Sequence, residues 1–325
     1  MAQEYGTATD YQDLLAKLRT FATVTLTGDE QWTDQRYNTD IDGNGNVEWI
    51  VMGPGSSAAD EIYVGIRTEY NDGEGYYNWC LNGMTGWNTS NPFWTQPGCI
   101  PLYFSELNAN HCPRILLHDN AMKYWFVGNG RRLAGVIKVA TVYQWFYLGL
   151  ILPYGTPSAF PYPLFVGGSS CYSSTAAYMR YSSEWARHRA FWDGDEDSNG
   201  NQTASAYFLD SDWVPVGNYD SSSDVINCGT WPYRHGTADS VAYNADSNEI
   251  WRNQEANLDG SVSLFPVTMF RAEPANIYGV LQGIWAVMGG DSVSEDYVTI
   301  SGTQYRIAQN TFHTDTYDFA ALELT

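Results

Sequence analysis

A chain of 325 residues with 37 acidic against 16 basic side chains carries a formal charge of −21. It is long enough to bury about three quarters of its unfolded surface, so a core needs neither disulfide nor metal. The charge excludes phosphate backbones and anionic membranes as partners, because these demand a basic stripe. The only basic clusters, Lys123 with Arg131, Arg132 and Lys138, and Arg180 with Arg187, His188 and Arg189, are small.

Other compositional signals narrow the class. Twenty-four Tyr, 13 Trp, 30 Gly and 13 Pro favour many short strands joined by turns over long helices. Cys80, Cys99, Cys112, Cys171 and Cys228 are odd in number, widely spaced and free of any C-x-x-C. They read as reduced thiols of a protein assembled in a reducing cytoplasm, not as a zinc ribbon. The opening MAQEYGTATD has neither the basic nor the apolar region of a signal peptide. The longest strongly apolar run, residues 145–152, falls well short of the ~20 residues that span a bilayer.

In chain order, residues 10–22 predict a helix: Leu14, Leu15, Leu18 and Phe21 recur at helical spacing, Asp10 can cap it and Asp13 lies in its first turn. Residues 23–27 (TVTLT) read as strand. Residues 31–55 read as a hairpin, with Val47, Trp49 and Val51 alternating and Gly43, Asn44 and Gly45 at the turn. Residues 61–70 form the next strand. Residues 76–103 give short strands and loops anchored by Trp79, Trp87 and Trp94. A strand over 123–127 turns at 128–130 into a long return strand over 132–146, which meets the apolar run and Pro153. Residues 171–191 fit either a strand and loop or a short helix around Ser183 to Arg189.

Residues 193–203 contain no large apolar side chain and read as an exposed loop or a boundary. Alternation returns over 206–219, followed by a polar loop at 220–224 and a loop-rich stretch over 229–262. Residues 262–274 read as a strand that Pro266 confines to an edge or a bulge. The end of the chain reads as a four-strand meander over 277–289, 296–301, 303–310 and 317–324. No repeat of 20–50 residues is apparent. The fold class is therefore mainly β, with antiparallel sheets in a sandwich or two packed β sub-domains and a short N-terminal helix. The division falls between 1–192 and 204–325, unless the C-terminal strands return to make one domain.

Residues 139–179 contain no Asp, Glu, Lys, Arg or His. Such a stretch needs a cover, supplied by the rest of the chain or by a partner. Its prolines exclude one continuous strand, so residues 136–150 are expected in sheet core and 153–168 in a rigid aromatic loop.

The sharpest chemical motif is D-x-D-x-N-G, present at Asp40, Asp42, Asn44 and Gly45 and again at Asp195, Asp197, Asn199 and Gly200. Alternating oxygen ligands before a glycine open a calcium loop, but the acid of its twelfth position is Val51 in one copy and Ala206 in the other. Calcium is thus the one cofactor these loops admit, against the plainer reading of Asn-Gly hairpin tips with solvated acids. Serine-nucleophile, H-E-x-x-H and phosphate-loop signatures are missing. Adjacency in a strand puts His111 and Cys112 on opposite faces. Glycoside hydrolysis, which needs two carboxylates at a defined separation, has too many candidate acids for any pair to stand out.

In the central stretch, Asn129, Arg131, Arg132, Lys138, Val139, Thr141, Val142 and Tyr143 fit N-x-R-R…K-V-x-T-V-Y. Residues 152–164 then read L-P-Y-x-T-P-S-x-x-P-Y-P-L and 167–169 read G-G-S. This resembles a group of virion structural proteins of tailed bacteriophages. Residues 60–79 and the C-terminal segment from 277 are similar as well. The resemblance implies a non-enzymatic tail or baseplate component, assembled in the host cytoplasm and found in the virion, that binds other virion proteins and copies of itself. No catalytic residue carries over. The expected contacts are Pro153, Tyr154, Tyr162 and Phe165, with Arg131 and Arg132 as anchors for acidic partners. Alternatives are a receptor- or glycan-binding tail-tip protein using calcium, and a glycan-degrading tail enzyme.

Overall fold

Both faces of one sheet are covered in its central strands, and that sheet contains the described strands Val142–Leu150 and Leu164–Gly167 of the uncharged stretch. The computed structural model of the chain describes residues 2–55, 61–71, 75–100, 112–154, 164–169, 190–191, 194–196, 202–209, 212–216, 219–220, 225–226, 228–231, 262–271, 276–288, 292–309 and 319–324. The expectations for 171–189, for 221–224 and for 232–261 lie outside the described residues. The described chain is mainly β, in antiparallel sheets with one short N-terminal helix.

The middle sheet has seven strands, ordered Ala2–Ala8, Met122–Asn129, Arg132–Val139, Val142–Leu150, Leu164–Gly167, Ala206–Leu209 and Trp213–Pro215. Strands from both sides of residues 193–203 therefore belong to one sheet. The N-terminal sheet is a five-strand meander of Thr33–Asn38, Glu48–Gly53, Ile62–Asn71, Tyr76–Met84 and Arg114–Leu117. The C-terminal sheet runs Cys228–Trp231, Ser263–Arg271, Asn276–Met288, Phe319–Glu323, Thr303–Gln309 and Tyr297–Ile300, and Leu152–Pro153 also pairs with Asn276–Met288. Gly194–Glu196 pairs with Gln202–Ala204, making a ribbon where an exposed loop was expected.

Side chains of a strand alternate between faces, and here each face enters its own core. Phe146, Leu148 and Leu150 pack with Val64, Trp79 and Leu81 of the N-terminal sheet and Leu14, Leu15 and Leu18 of the helix. Tyr143, Trp145 and Tyr147 pack with Val267, Met269, Leu281 and Ile284 of the C-terminal sheet. All nine residues of Val142–Leu150 are buried. A charge on either face would be desolvated without a solvent outlet, which accounts for the charge gap through this strand.

The helix spans Tyr11–Thr20, and Asp10 caps it by accepting from the backbone N–H groups of Gln12 and Asp13 at 2.9 and 2.8 Å. Residues 21–25 continue as a wide π-type turn, not the strand expected over 23–27. Phe21 and Ala22 are fully buried in phase with the helix face. Keeping that burial outweighs the local β preference of the threonines and Val24.

Two further expectations are corrected. Residues 132–146 do not form one strand: the chain reverses at Ala140 and Thr141, pairing Val139 with Val142. Ala140 takes φ 53°, a conformation usually given to Gly or Asn, so the turn had no sequence signal. The C-terminal strands do not form a simple meander either. Phe319–Glu323 lies between Asn276–Met288 and Thr303–Gln309, and Tyr297–Ile300 is at the edge. The half-exposed Tyr297–Ile300 suits an edge, while Ala320, Ala321 and Leu322 are buried. Pro266 is accommodated by the bulge alternative, at a register shift between Pro266 and Thr268.

An ionic cluster ties the middle and C-terminal sheets at one end. Glu295 accepts from Lys138, from Lys123 at 3.2 Å, from Arg306 at 3.2 Å and from Tyr143 at 3.1 Å. The Arg306 guanidinium lies 4.6 Å from the Trp125 ring centre and 4.2 Å from that of Tyr297. Burial acts to raise the Glu295 carboxyl, but the hydrogen bonds from Lys138, Lys123 and Tyr143 prevail and hold it at about 2. Glu295 itself has φ 76°, so the backbone is strained to place it there.

Two predictions follow from these contacts. Trp145→Ala and Phe146→Ala, at adjacent positions, should each cost about 3–5 kcal/mol in urea unfolding, whereas a sheet with one wet face would tolerate one of them. Glu295 should contribute roughly 3 kcal/mol, present above its ordinary 4.5 and lost as pH falls towards about 2. Glu295→Gln should flatten the pH dependence of stability across that window.

Candidate functional site

The outer face of the N-terminal sheet carries a polar band. Cross-strand register places Glu48 opposite Arg67, Arg67 opposite Cys80 and Cys80 opposite Arg114. These are the outward positions of strands whose alternate residues, Trp49, Ile66, Leu81 and Ile115, enter the core. One row thus crosses four strands with charged or thiol groups.

At one end, Arg36 Nε lies 2.6 Å from Glu48 Oε1, with the two side chains 16% and 7% exposed. Arg36 Nη1 donates to the Asn91 carbonyl at 3.0 Å, and its guanidinium lies 4.9 Å from the Trp87 ring centre. Burial raises the Glu48 carboxyl, against the opposing pull of Arg36 and Arg67. Arg36, Tyr37, Asp40, Glu48, Arg67 and Phe93 help line an open cavity of about 600 Å³. Two guanidiniums and two carboxylates nearly cancel in charge. The recess offers donors, acceptors and aromatic surface together, a lining suited to a small hydroxylated ligand.

At the other end, the fully buried Arg114 places Nη1 2.8 Å from Glu69 Oε2, which also accepts from Cys80 Sγ at 3.4 Å. Cys112 precedes this strand and hydrogen-bonds Cys80. Arg36, Glu48, Arg67, Glu69 and Arg114 were not singled out in the sequence. The available signal was period-two spacing of polar residues, Arg67 and Glu69 above all, inside strands that otherwise read apolar.

The expected calcium loop adjoins the cavity. Asp40 Oδ1 accepts from the Gly45 N–H at 2.7 Å, and Asp42 accepts from the Asn44 N–H at 3.1 Å and from Asn46 Nδ2 at 2.7 Å. Gln12 Nε2 donates to the Gly45 carbonyl and fastens this tip to the helix. Asp40, Asp42 and Asn44 are exposed. Their local bonds make a self-supported hairpin tip. Among the described residues, no group of three His, Cys, Asp or Glu side chains gathers at metal-binding range. Asp195 lies in the Gly194–Glu196 strand, and Asp197 and Asn199 fall outside the described residues.

The expected partner contacts separate into two sets. Tyr154 is 59% exposed and Pro153 half-buried, both beside the C-terminal sheet. Pro153 pairs with Gly279, and Tyr154 N–H donates to the Tyr278 carbonyl at 3.1 Å. A Cβ at Gly279 would collide with the Leu152 carbonyl, so glycine is what admits this approach. Leu152, at 48% exposure, stands two residues before Tyr154 on the same face and makes an apolar ledge with it, while Ile277, 61% exposed, lies on the paired strand. The sequence offered no sign of Ile277, which is distant along the chain.

Arg131 is half-buried. Arg132 and Phe165 are corrections: both are fully buried within the chain and present nothing to a partner in this state. Arg132 points into the C-terminal layer against Gly283, where φ is 79° and a Cβ would strike the guanidinium. Phe165 packs edge-on to Tyr147 at 5.7 Å and near Phe191 at 6.1 Å. Tyr162 lies outside the described residues.

Removing the acid shared by two guanidiniums should be costly. Glu48→Ala should destabilise the chain by about 3 kcal/mol in urea unfolding, because Arg36 and Arg67 would then face each other partly buried. Glu48→Gln, which keeps an acceptor, should cost less.

Compared with known proteins, the sequence matches no family model and no curated protein.

Proposed function

We propose that this chain is a non-enzymatic structural component of a tailed-phage virion, in the tail or baseplate, working through contacts with copies of itself and with other virion proteins. The observation that carries the reading is the exposed apolar ledge of Leu152 and Tyr154. It lies on the L-P-Y segment that contributes to the resemblance. The ledge is held by backbone pairing to a sheet, so its apolar side chains are presented without large ordering costs. Exposed apolar patches on an otherwise charged surface mark protein contacts.

Glycan binding at a tail tip is a second reading, favoured by the cavity at Arg36, Glu48 and Arg67. A glycan array probed with the full chain and with Arg67→Ala tests it, and repeating the array with chelator tests the calcium expected at the hairpin tip. Signals lost with Arg67→Ala support this reading, and equal signals remove it.

For assembly, the combined Leu152→Ser and Tyr154→Ser variant should keep its unfolding free energy within about 0.5 kcal/mol, as exposed positions do. It should sediment as smaller species than the native chain and fail to enter particles in a complementation assay. Normal sedimentation and normal particle incorporation of the variant would sink the assembly role of the ledge.

A further inference from the structure

The two cysteines at the buried end of the polar band form a pair. Cys80 stands opposite Arg114 across the sheet. Cys112 precedes Arg114 by two residues, a spacing that keeps side chains on one face where the backbone is extended. Leu81 N–H donates to the Pro113 carbonyl at 2.9 Å, which holds the Cys112 segment beside the Cys80 strand. The two thiols hydrogen-bond each other, and they are only 1% and 2% exposed. Sequence spacing gave no hint of the pair, since the residues are far apart in the chain and outside any C-x-x-C.

The surroundings assign the two sulfurs different roles. The buried Arg114 guanidinium is beside them, and Glu69 accepts from Cys80. Burial pushes the Cys112 thiol up, but the Cys80 hydrogen bond and the Arg114 charge outweigh it and bring the thiol below its ordinary value. The hydrogen bond to Cys112, followed by burial, raises Cys80. Thiolate character therefore concentrates on Cys112, and thiolate is the reactive form.

We propose that Cys80 and Cys112 are a redox-modification site, closing to an intramolecular disulfide when the protein meets a peroxide oxidant and reopening under a thiol reductant. In the first step the Cys112 thiolate attacks one oxygen of hydrogen peroxide. The O–O bond breaks, and the departing hydroxide takes the proton released from Cys112 to become water. Cys112 is then a sulfenic acid. In the second step Cys80 attacks that sulfur as its proton passes towards Glu69. The S–O bond breaks, the departing hydroxide takes that proton from Glu69 to become a second water, and the S–S bond forms. Two electrons pass from the sulfurs to the peroxide, and two thiols and one peroxide become one disulfide and two waters. Peroxide is scarcely larger than water, so it suits a buried pair better than a protein oxidant does.

The test uses the full chain, reduced, freed of reductant and treated with hydrogen peroxide. It is then denatured, alkylated with N-ethylmaleimide and digested for mass spectrometry. The expected product is a cross-linked peptide pair containing Cys80 and Cys112, about 2 Da lighter than the two reduced peptides and separated again by dithiothreitol. Oxidation should also raise Tm by several degrees, because the bridge constrains the unfolded chain. Cys99→Ser should leave the cross-link intact, whereas Cys80→Ser should remove it and let Cys112 stop as a trappable sulfenic acid. Full alkylation of both cysteines after peroxide would overturn the proposal. So would sulfenic acid trapped elsewhere while Cys112 stays a thiol, or bridging of Cys80 or Cys112 to another cysteine instead. If Cys80→Ser does not fold, the native and Cys99→Ser peptide maps still decide the matter.

Discussion

Desolvation on both sides of the middle sheet is the constraint from which most of the structure follows. The central strands there must supply two apolar faces, and the Val142–Leu150 strand does so with Trp145, Phe146, Tyr147 and Leu148 in succession. A polar atom on such a strand has to find a partner inside the protein. The Tyr147 hydroxyl donates to the Leu150 carbonyl at 2.6 Å, and Trp145 Nε1 donates to the Gln309 carbonyl at 2.9 Å across to the C-terminal sheet. Burial pushes Tyr147 up to about 12, which keeps it a neutral donor.

Charged groups are consequently displaced to the margins of the middle sheet or to the outer faces. Lys123, Lys138 and Tyr143 meet Glu295 where the middle and C-terminal layers end. Arg132 is the exception that enters between layers, and its accommodation depends on the absent side chain of Gly283. On the N-terminal sheet the outer face has no third sheet to cover it among the described residues. There a row of Glu48, Arg67, Cys80 and Arg114 is possible because each charge has an opposite charge near it.

Where the relevant forces were local, the sequence was legible. Helix spacing, the Asp10 cap, the hairpin before Gly53 and the antiparallel β class all depend on short-range periodicity and turn chemistry. The turn at Ala140 was hidden because a non-glycine residue takes the left-handed conformation there. The place of Phe319–Glu323 was hidden because strand order depends on which segment best fills the centre of a sheet. Burial of Arg132 and Phe165 could not be read for a related reason: an uncharged stretch needs a cover, but composition does not say whether chain or partner provides it. The polar band was missed because its members come from five strands and meet only through register.

The same separation of polar and apolar surface bears on how the two outer regions can act. The ledge at Leu152 and Tyr154 is paired to the C-terminal sheet, while Cys80 and Cys112 lie on the outward face of the N-terminal sheet. The doubly covered middle sheet stands between these layers. Its large side chains interdigitate with both neighbours, so small shifts are resisted on either side. Closing a bridge between Cys80 and Cys112 would restrain the Tyr76–Met84 strand and the segment entering Arg114–Leu117 without demanding a change at the ledge. The proposed redox pair and the apolar ledge therefore lie on opposite sides of the middle sheet, and closing the bridge would act on stability ahead of affinity.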